Sequence, residues 1–130
     1  MNEYVADTHA LLWYLTASPR LSATAKAAFD EGVKNLAFIY IPSIVLAELY
    51  FLNVKHNYPI DFTAEFQKLN ASGQFILTSL EPQDVLDFDK DSIVSEMHDR
   101  IIVGVARRLS AACITKDDSI TRSGLVNIVW

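Results

Sequence analysis

Four acidic residues, Asp7, Glu48, Asp99 and Asp117, have the types and positions that could do chemistry, and the chemistry is the binding of a divalent cation. Asp7 directly follows the apolar run Tyr4-Val5-Ala6, and Asp117 follows Ala112-Cys113-Ile114-Thr115 after the single Lys116. Ligands of open α/β sheets bind outside the carboxyl ends of the strands, which is where these two acids stand. Either alone is equally a helix cap or turn residue. Glu48 sits in Ile44-Val45-Leu46-Ala47-Glu48-Leu49-Tyr50-Phe51-Leu52, a stretch apolar nearly all round and therefore expected to be buried on most sides. An ionised carboxylate in such a place needs a metal or a partner, Lys55 or an arginine, to offset its desolvation. Asp99 opens the apolar helical run Ile101 to Ala106 and suits an N-cap there. If all four faced one crevice, each like pair at 4 Å would cost on the order of 1 kcal/mol in water and about 4 near a protein surface. Divalent cations remove that cost, and an all-oxygen donor set selects Mg²⁺ or Mn²⁺ over zinc.

The elements that must position these acids alternate between short apolar runs and helix-length segments, the pattern of a parallel sheet covered by helices. Strands are expected at Tyr4 to Ala6, Phe38 to Ile41, Phe75 to Leu77, Ala112 to Thr115 and Asn127 to Val129. Helices are expected from Ala10 to Thr16, from Ser22 to about Gly32, from Ile44 to about Lys55, from Thr63 to Asn70 and from about Asp99 to Leu109. Pro82 suits the first turn of a further helix. The expected fold is a three-layer α/β/α sandwich with a central, mostly parallel sheet, formed by residues 1–130 as one domain.

A length of 130 residues accommodates one domain. The hydrophobic share of 51% excludes disorder, collagen and coiled coil. A net charge of −5 argues against a broad basic face for polyanions, but cations bound by a metal-dependent nuclease do not enter that count. The single Cys113 rules out an internal disulfide and fits a reducing compartment. Met1-Asn2-Glu3 does not begin a secretory signal, and Pro42-Ser43 and Glu48 interrupt the most apolar window, so a cytoplasmic location without membrane insertion is expected.

Asp7-Thr8-His9-Ala10-Leu11-Leu12-Trp13, Ser43 through Glu48-Leu49, His98-Asp99-Arg100-Ile101-Ile102-Val103-Gly104-Val105-Ala106 and Thr115-Lys116-Asp117 resemble the four acidic motifs of the PIN-domain family. They are similar in particular to its VapC-type toxin ribonucleases. The motifs run in register over nearly the whole chain, from Asp7 to the terminal Trp130. The resemblance implies a Mg²⁺ or Mn²⁺ site ringed by Asp7, Glu48, Asp99 and Asp117. It also implies an endoribonuclease serving as the toxin of a type II toxin–antitoxin module, a homodimer, and a cognate antitoxin protein that blocks the site. Two departures stand out. Many relatives carry Asp-Pro shortly before the acid matched by Asp99, whereas Glu96-Met97-His98 stands here, so Glu96 either substitutes as a supporting group or is unconnected with the site. The doublet Asp117-Asp118 leaves the fourth acid open by one position, with the Thr-x-Asp register favouring Asp117.

In the activity so implied, metal ions activate a water and relieve charge on the phosphate without a protein nucleophile. Asp7 and Asp99 would hold the main cation, and Glu48 and Asp117 would complete the site or orient water. Thr8, Ser43 and Thr115 are candidate hydrogen-bond donors to the ligating carboxylates or to substrate, with helix cap and strand hydroxyl as their ordinary roles. Arg100, Arg107, Arg108, Lys116 and Arg122 are candidates for RNA phosphates, with Arg100 preferred and Arg107-Arg108 expected on a solvated face. Trp13 and Tyr14 suit base stacking, a dimer face or core packing.

Three alternatives fail or stand as rivals. Asp87-Phe88-Asp89-Lys90-Asp91 imitates a calcium loop, but Ser92 occupies the required glycine position and His98 that of the bidentate glutamate. His9, His56 and His98 lack zinc-ligand spacing. A catalytically silent PIN-fold interaction module is the remaining rival.

Overall fold

Strand β1 (Asn2–Ala6) is the axis from which the rest of the chain is laid out, in a computed structural model that describes residues 1–130. It is followed by α1 (Thr8–Leu15), α2 (Ala23–Val33), β2 (Ala37–Pro42), α3 (Ser43–Lys55), α4 (Phe62–Ala71) and β3 (Phe75–Thr78). Then come α5 (Pro82–Leu86), a 3₁₀ turn (Phe88–Asp91), α6 (Met97–Arg108), β4 (Ala112–Ile114), α7 (Asp118–Ser123) and β5 (Ile128–Val129). The five strands form one wholly parallel sheet in the order β3-β2-β1-β4-β5. No helix is long and apolar enough to cross a membrane.

Neighbouring residues on the central strands are fully buried, Val5 with Ala6 and Cys113 with Ile114. Successive strand residues point to opposite faces, so the helices cover this sheet on both sides, as a parallel sheet requires. On β2 the fully buried Ala37, Ile39 and Ile41 share one face, and α2 packs on it closely enough that a Cβ on Gly32 would lie 2.7 Å from Ile39 Cγ1.

The strand order reverses beside β1: the chain moves from β1 outward to β2 and β3, then returns to place β4 on the other side. This is the topological switch point at which a crevice opens beyond the carboxyl ends of β1 and β4. Val5 pairs with Cys113 and Ala6 with Ile114, so the residues immediately after them emerge side by side.

Three expectations are corrected. Helix α3 buries Val45, Leu49 and Asn53 but not its whole circumference, and Phe51 is 69% exposed. An apolar composition does not by itself enclose a helix; here one stripe meets the body of the protein and another meets solvent. Asp99 is not the cap of α6: Glu96 is, its carboxylate accepting from the Asp99 backbone N–H at 2.8 Å. Arg107 and Arg108 do not form a solvated face either. They pair with the buried Asp91 and Asp84, at 2.7 Å each, and fasten α5 and the 3₁₀ turn to α6.

Candidate active site

Asp7 leaves β1 as the N-cap of α1. Its Oδ1 accepts from the Ala10 backbone N–H at 2.8 Å, and its Oδ2 accepts from the Thr115 hydroxyl on the neighbouring strand end. Capping therefore fixes the side chain, and aiming it at the switch point is the by-product. Burial pushes its carboxyl above the ordinary range, against the lowering pull of those two donors.

Asp117 repeats the device at the end of β4. It caps α7 through Oδ1, which accepts from the Ile120 backbone N–H at 2.9 Å and from the Ser119 hydroxyl at 2.7 Å. The Thr115 hydroxyl accepts from the Asp117 backbone N–H at 2.9 Å while it donates to Asp7, so one buried side chain sets two acids. Asp118 turns away and pairs with Arg122 at 2.9 Å on the exposed side of α7.

Glu48 reaches the same place from α3. Its Oε1 accepts from the Thr8 hydroxyl at 2.8 Å, and its Oε2 lies 3.6 Å from His98 Nδ1. Neither Lys55 nor an arginine pairs with it. Asp99, in the first turn of α6, completes the set, and no protein group donates to its carboxylate. Burial first, and then the charges of Asp117, Glu96, Glu48 and Asp7, push its pKa up to about 6. Glu96 is held below the ordinary carboxylate range: burial acts the other way, but the Asp99 and His98 backbone N–H groups and the His98 ring outweigh it.

All four acids line one open cleft of about 460 Å³, together with Thr8, His9, Trp13, Arg20 and Lys116. No three His, Cys, Asp or Glu side chains are gathered closely enough to enclose one ion. That is compatible with Mg²⁺, which keeps several waters and is held by one or two carboxylates rather than by an all-protein cage. The donors are all oxygen, the hard set that Mg²⁺ or Mn²⁺ takes, and Asp99 is raised by burial and, after it, by the negative charges of the other acids. The residues present fit a divalent cation. Cys113 does not compete as a nucleophile, since complete burial pushes its thiol well above the ordinary range.

The PIN domain model matches residues 4–124. The chain belongs to the PIN-domain family. No curated protein is significantly similar in sequence. Among solved structures, the fold is similar to a chain in VapBC2 from Rickettsia felis bound to a DNA fragment from their promoter. There the TM-score is 0.72 and the identity 15%, over 97% of this chain and 96% of that one. DNA-bound VapBC from Salmonella typhimurium gives a TM-score of 0.70 at 15% identity, covering 98% and 97%. FitAcB from Neisseria gonorrhoeae gives 0.63 at 15% identity, covering 96% and 95%. The expected α/β fold and the resemblance to the PIN family are thus borne out.

Within this PIN domain, the structure brings Asp7, Glu48, Asp99, Asp117 and Thr8 to the cleft and sets Thr115 directly behind Asp7. It does not bring Arg100 or Ser43 there. The Arg100 guanidinium binds the Val94 and Ser92 carbonyls at 2.7 and 3.3 Å, drawn down by acceptors left free in the segment before α6. The Ser43 hydroxyl donates to the Thr78 carbonyl at 3.1 Å, tying α3 to the end of β3. Arg20 is the cleft residue that spacing did not disclose. It follows the turn after α1, where Ala17 takes a positive φ of 51° and redirects the chain.

A second recess, also about 460 Å³, adjoins the first across His9 and Glu48. Its walls include Ile44, Ala47, Phe51 and Lys55.

Proposed function

We propose that this PIN domain is a Mg²⁺- or Mn²⁺-dependent endoribonuclease, the toxin of a type II toxin–antitoxin module. The observation that carries the reading is that four carboxylates from separate parts of the chain line one cleft at the switch point, with no arginine or lysine paired to any of them and Asp99 pushed up to about 6 by burial first and then by its acidic neighbours. Structural pairing would have supplied an arginine, as it does for Asp84 and Asp91. Membership of a family whose members are generally nucleases supports the reaction class. The VapBC and FitAcB complexes that share the fold support a cognate antitoxin as partner. A homodimer and a cytoplasmic location belong to the same reading.

Asp7 and Asp99 would hold the cation, with Glu48 and Asp117 completing the site or orienting water. Bound there, it supplies charge relief at the phosphate and lowers the pKa of a water. The chain's own contribution is orientation: Thr115 and the Ala10 N–H hold Asp7, Thr8 holds Glu48, and the Ser119 hydroxyl and Ile120 N–H hold Asp117. Such supporting donors keep ligands in place before the metal arrives.

The test is cleavage-site mapping on total RNA with purified protein, with Mn²⁺ and with chelator. Cleavage should require the metal and disappear in Asp7→Asn and Asp99→Asn while both variants stay folded. Undiminished cleavage in both rejects the assignment. The rival, a silent interaction module of the same fold, draws on the openness of the carboxylate set. Calorimetric titration with Mn²⁺ separates the two, because only an intact site binds the ion in a carboxylate-dependent way.

A further inference from the structure

The eleven Lys and Arg residues are not spent evenly. Lys26, Lys68, Lys90, Arg107, Arg108 and Arg122 each pair with a carboxylate. Arg100 is held by carbonyl oxygens. Of the cations left, Arg20 and Lys116 line the acid cleft, and both are exposed. Each stands at the rim of the most acidic recess of the molecule and yet pairs with none of its carboxylates, so their charges remain available to something that enters.

Trp13 lines the same cleft from α1. Its ring is braced on two sides: His9 at 5.7 Å and Trp130 at 5.9 Å between ring centroids, tilted by 53° and 59°. It packs partly on the core and partly faces the cleft. A ring held in this way is ordered in advance, so the part of it that reaches the cleft can meet a base at little entropic cost.

We infer that Arg20 and Lys116 hold phosphates of a single-stranded RNA flanking the scissile bond, and that the Trp13 ring stacks on a base of that strand. The inference rests on the nuclease reading and adds to it the residues of this chain that grip the strand. A duplex keeps its base faces inside the helix, so a stacking ring selects a strand whose bases are free. Two cations beside a metal-loaded carboxylate site also account for a protein of charge −5 that engages a polyanion without a broad basic face.

The experiment is binding of a short fluorescein-labelled single-stranded RNA to the Ca²⁺-loaded protein, followed by anisotropy over a salt series, with cleavage in Mn²⁺ measured in parallel. Arg20→Ala and Lys116→Ala should each weaken binding and reduce the slope of log K against log salt by about 0.7. Trp13→Ala should weaken binding by roughly 5- to 100-fold with the slope unchanged, Trp13→Phe should recover most of the loss, and circular dichroism reports whether each variant is folded. Lys34→Ala, at the end of α2, should match the wild type. The same RNA annealed to its complement should bind more weakly. Wild-type slopes in both cation variants, wild-type affinity in Trp13→Ala, or equal binding of the duplex overturns the inference. Should the wild type fail to cleave RNA at all, it is the nuclease reading that falls; cleavage with unaltered slopes overturns the inference and leaves that reading standing.

Discussion

Thr115, fully buried at the end of β4, donates its hydroxyl to Asp7 across the switch point and accepts from the Asp117 N–H with the same oxygen. Two acids that lie far apart in sequence are thereby set by one side chain. Thr115→Val keeps the volume and removes both bonds, leaving Asp7 held only through Oδ1 by the Ala10 N–H. Loss of such a supporting donor typically costs about 10- to 100-fold in metal affinity or activity. Thr115→Ser should restore most of it. Mn²⁺ titration of the two variants makes the comparison, and Val binding as tightly as Thr would show that Asp7 needs no such tether.

Asp99 carries a pKa pushed up to about 6, so its effect on stability has a definite sign. Below the ordinary carboxylate range, near ~4, both folded and unfolded chains are protonated and the residue is neutral to folding. Between there and about 6 the folded chain holds a proton that the unfolded chain has released, so stability falls as pH rises. Above that the full penalty is present. Asp99→Asn should therefore raise the melting temperature of the metal-free protein at pH ~7–8 while abolishing cleavage, and the gain should fade toward pH ~4. Adding Mn²⁺ should stabilise the wild type and leave the variant almost unmoved, since only a ligand that binds the folded state shifts the transition. A variant less stable than the wild type at neutral pH in chelator would remove the case for repulsion at this residue.

Asp7 and Asp117 were readable from sequence because each follows a short apolar run, and the carboxyl end of a parallel strand is a predictable place. Glu48 was readable as a helix residue but its surroundings were not, since the composition of α3 is the same whether its outer stripe meets protein or solvent. Asp99 was placed in the right turn, but the capping that its type suggested falls to Glu96, three residues earlier, which accepts from its N–H, a reach that the smaller cap residues usually supply. Arg20 and the buried pairs of Arg107 and Arg108 were out of reach. Their partners and neighbours are fixed by how a turn and a short helix dock in space, and no periodicity along the chain encodes that.

Those buried pairs make an asymmetric prediction. Arg107 grips both oxygens of Asp91, at 3.0 and 2.7 Å, and the acid is 1% exposed while the arginine side chain is 31% exposed. Arg107→Ala leaves a carboxylate with neither water nor partner, a loss of about 3–5 kcal/mol. Asp91→Asn leaves an arginine that can turn to solvent and an amide that still accepts a hydrogen bond, and should cost less. Denaturant titrations of the two variants should rank them in that order, and the reverse order would mean that the arginine, not the acid, is the group trapped by burial.

Gly32 sets two effects of opposite sign against each other. It lies inside α2 with no positive φ, so alanine there would gain about 1 kcal/mol of helix propensity. The added Cβ, however, meets Ile39 Cγ1 at 2.7 Å and Phe75 Cε2 at 3.5 Å. Ile39 is fully buried on β2, and Cγ1 is close to its backbone, so it has little room to withdraw. Overpacking of this kind costs typically 1–3 kcal/mol. The steric term is the larger, and Gly32→Ala should be destabilising by roughly 1 kcal/mol despite its better helix former. Gly32→Ala combined with Ile39→Val, which trims the δ-methyl but keeps a Cγ atom, should recover only part of the loss. A Gly32→Ala protein more stable than the wild type in urea would show that α2 can slide on β2 to make the space.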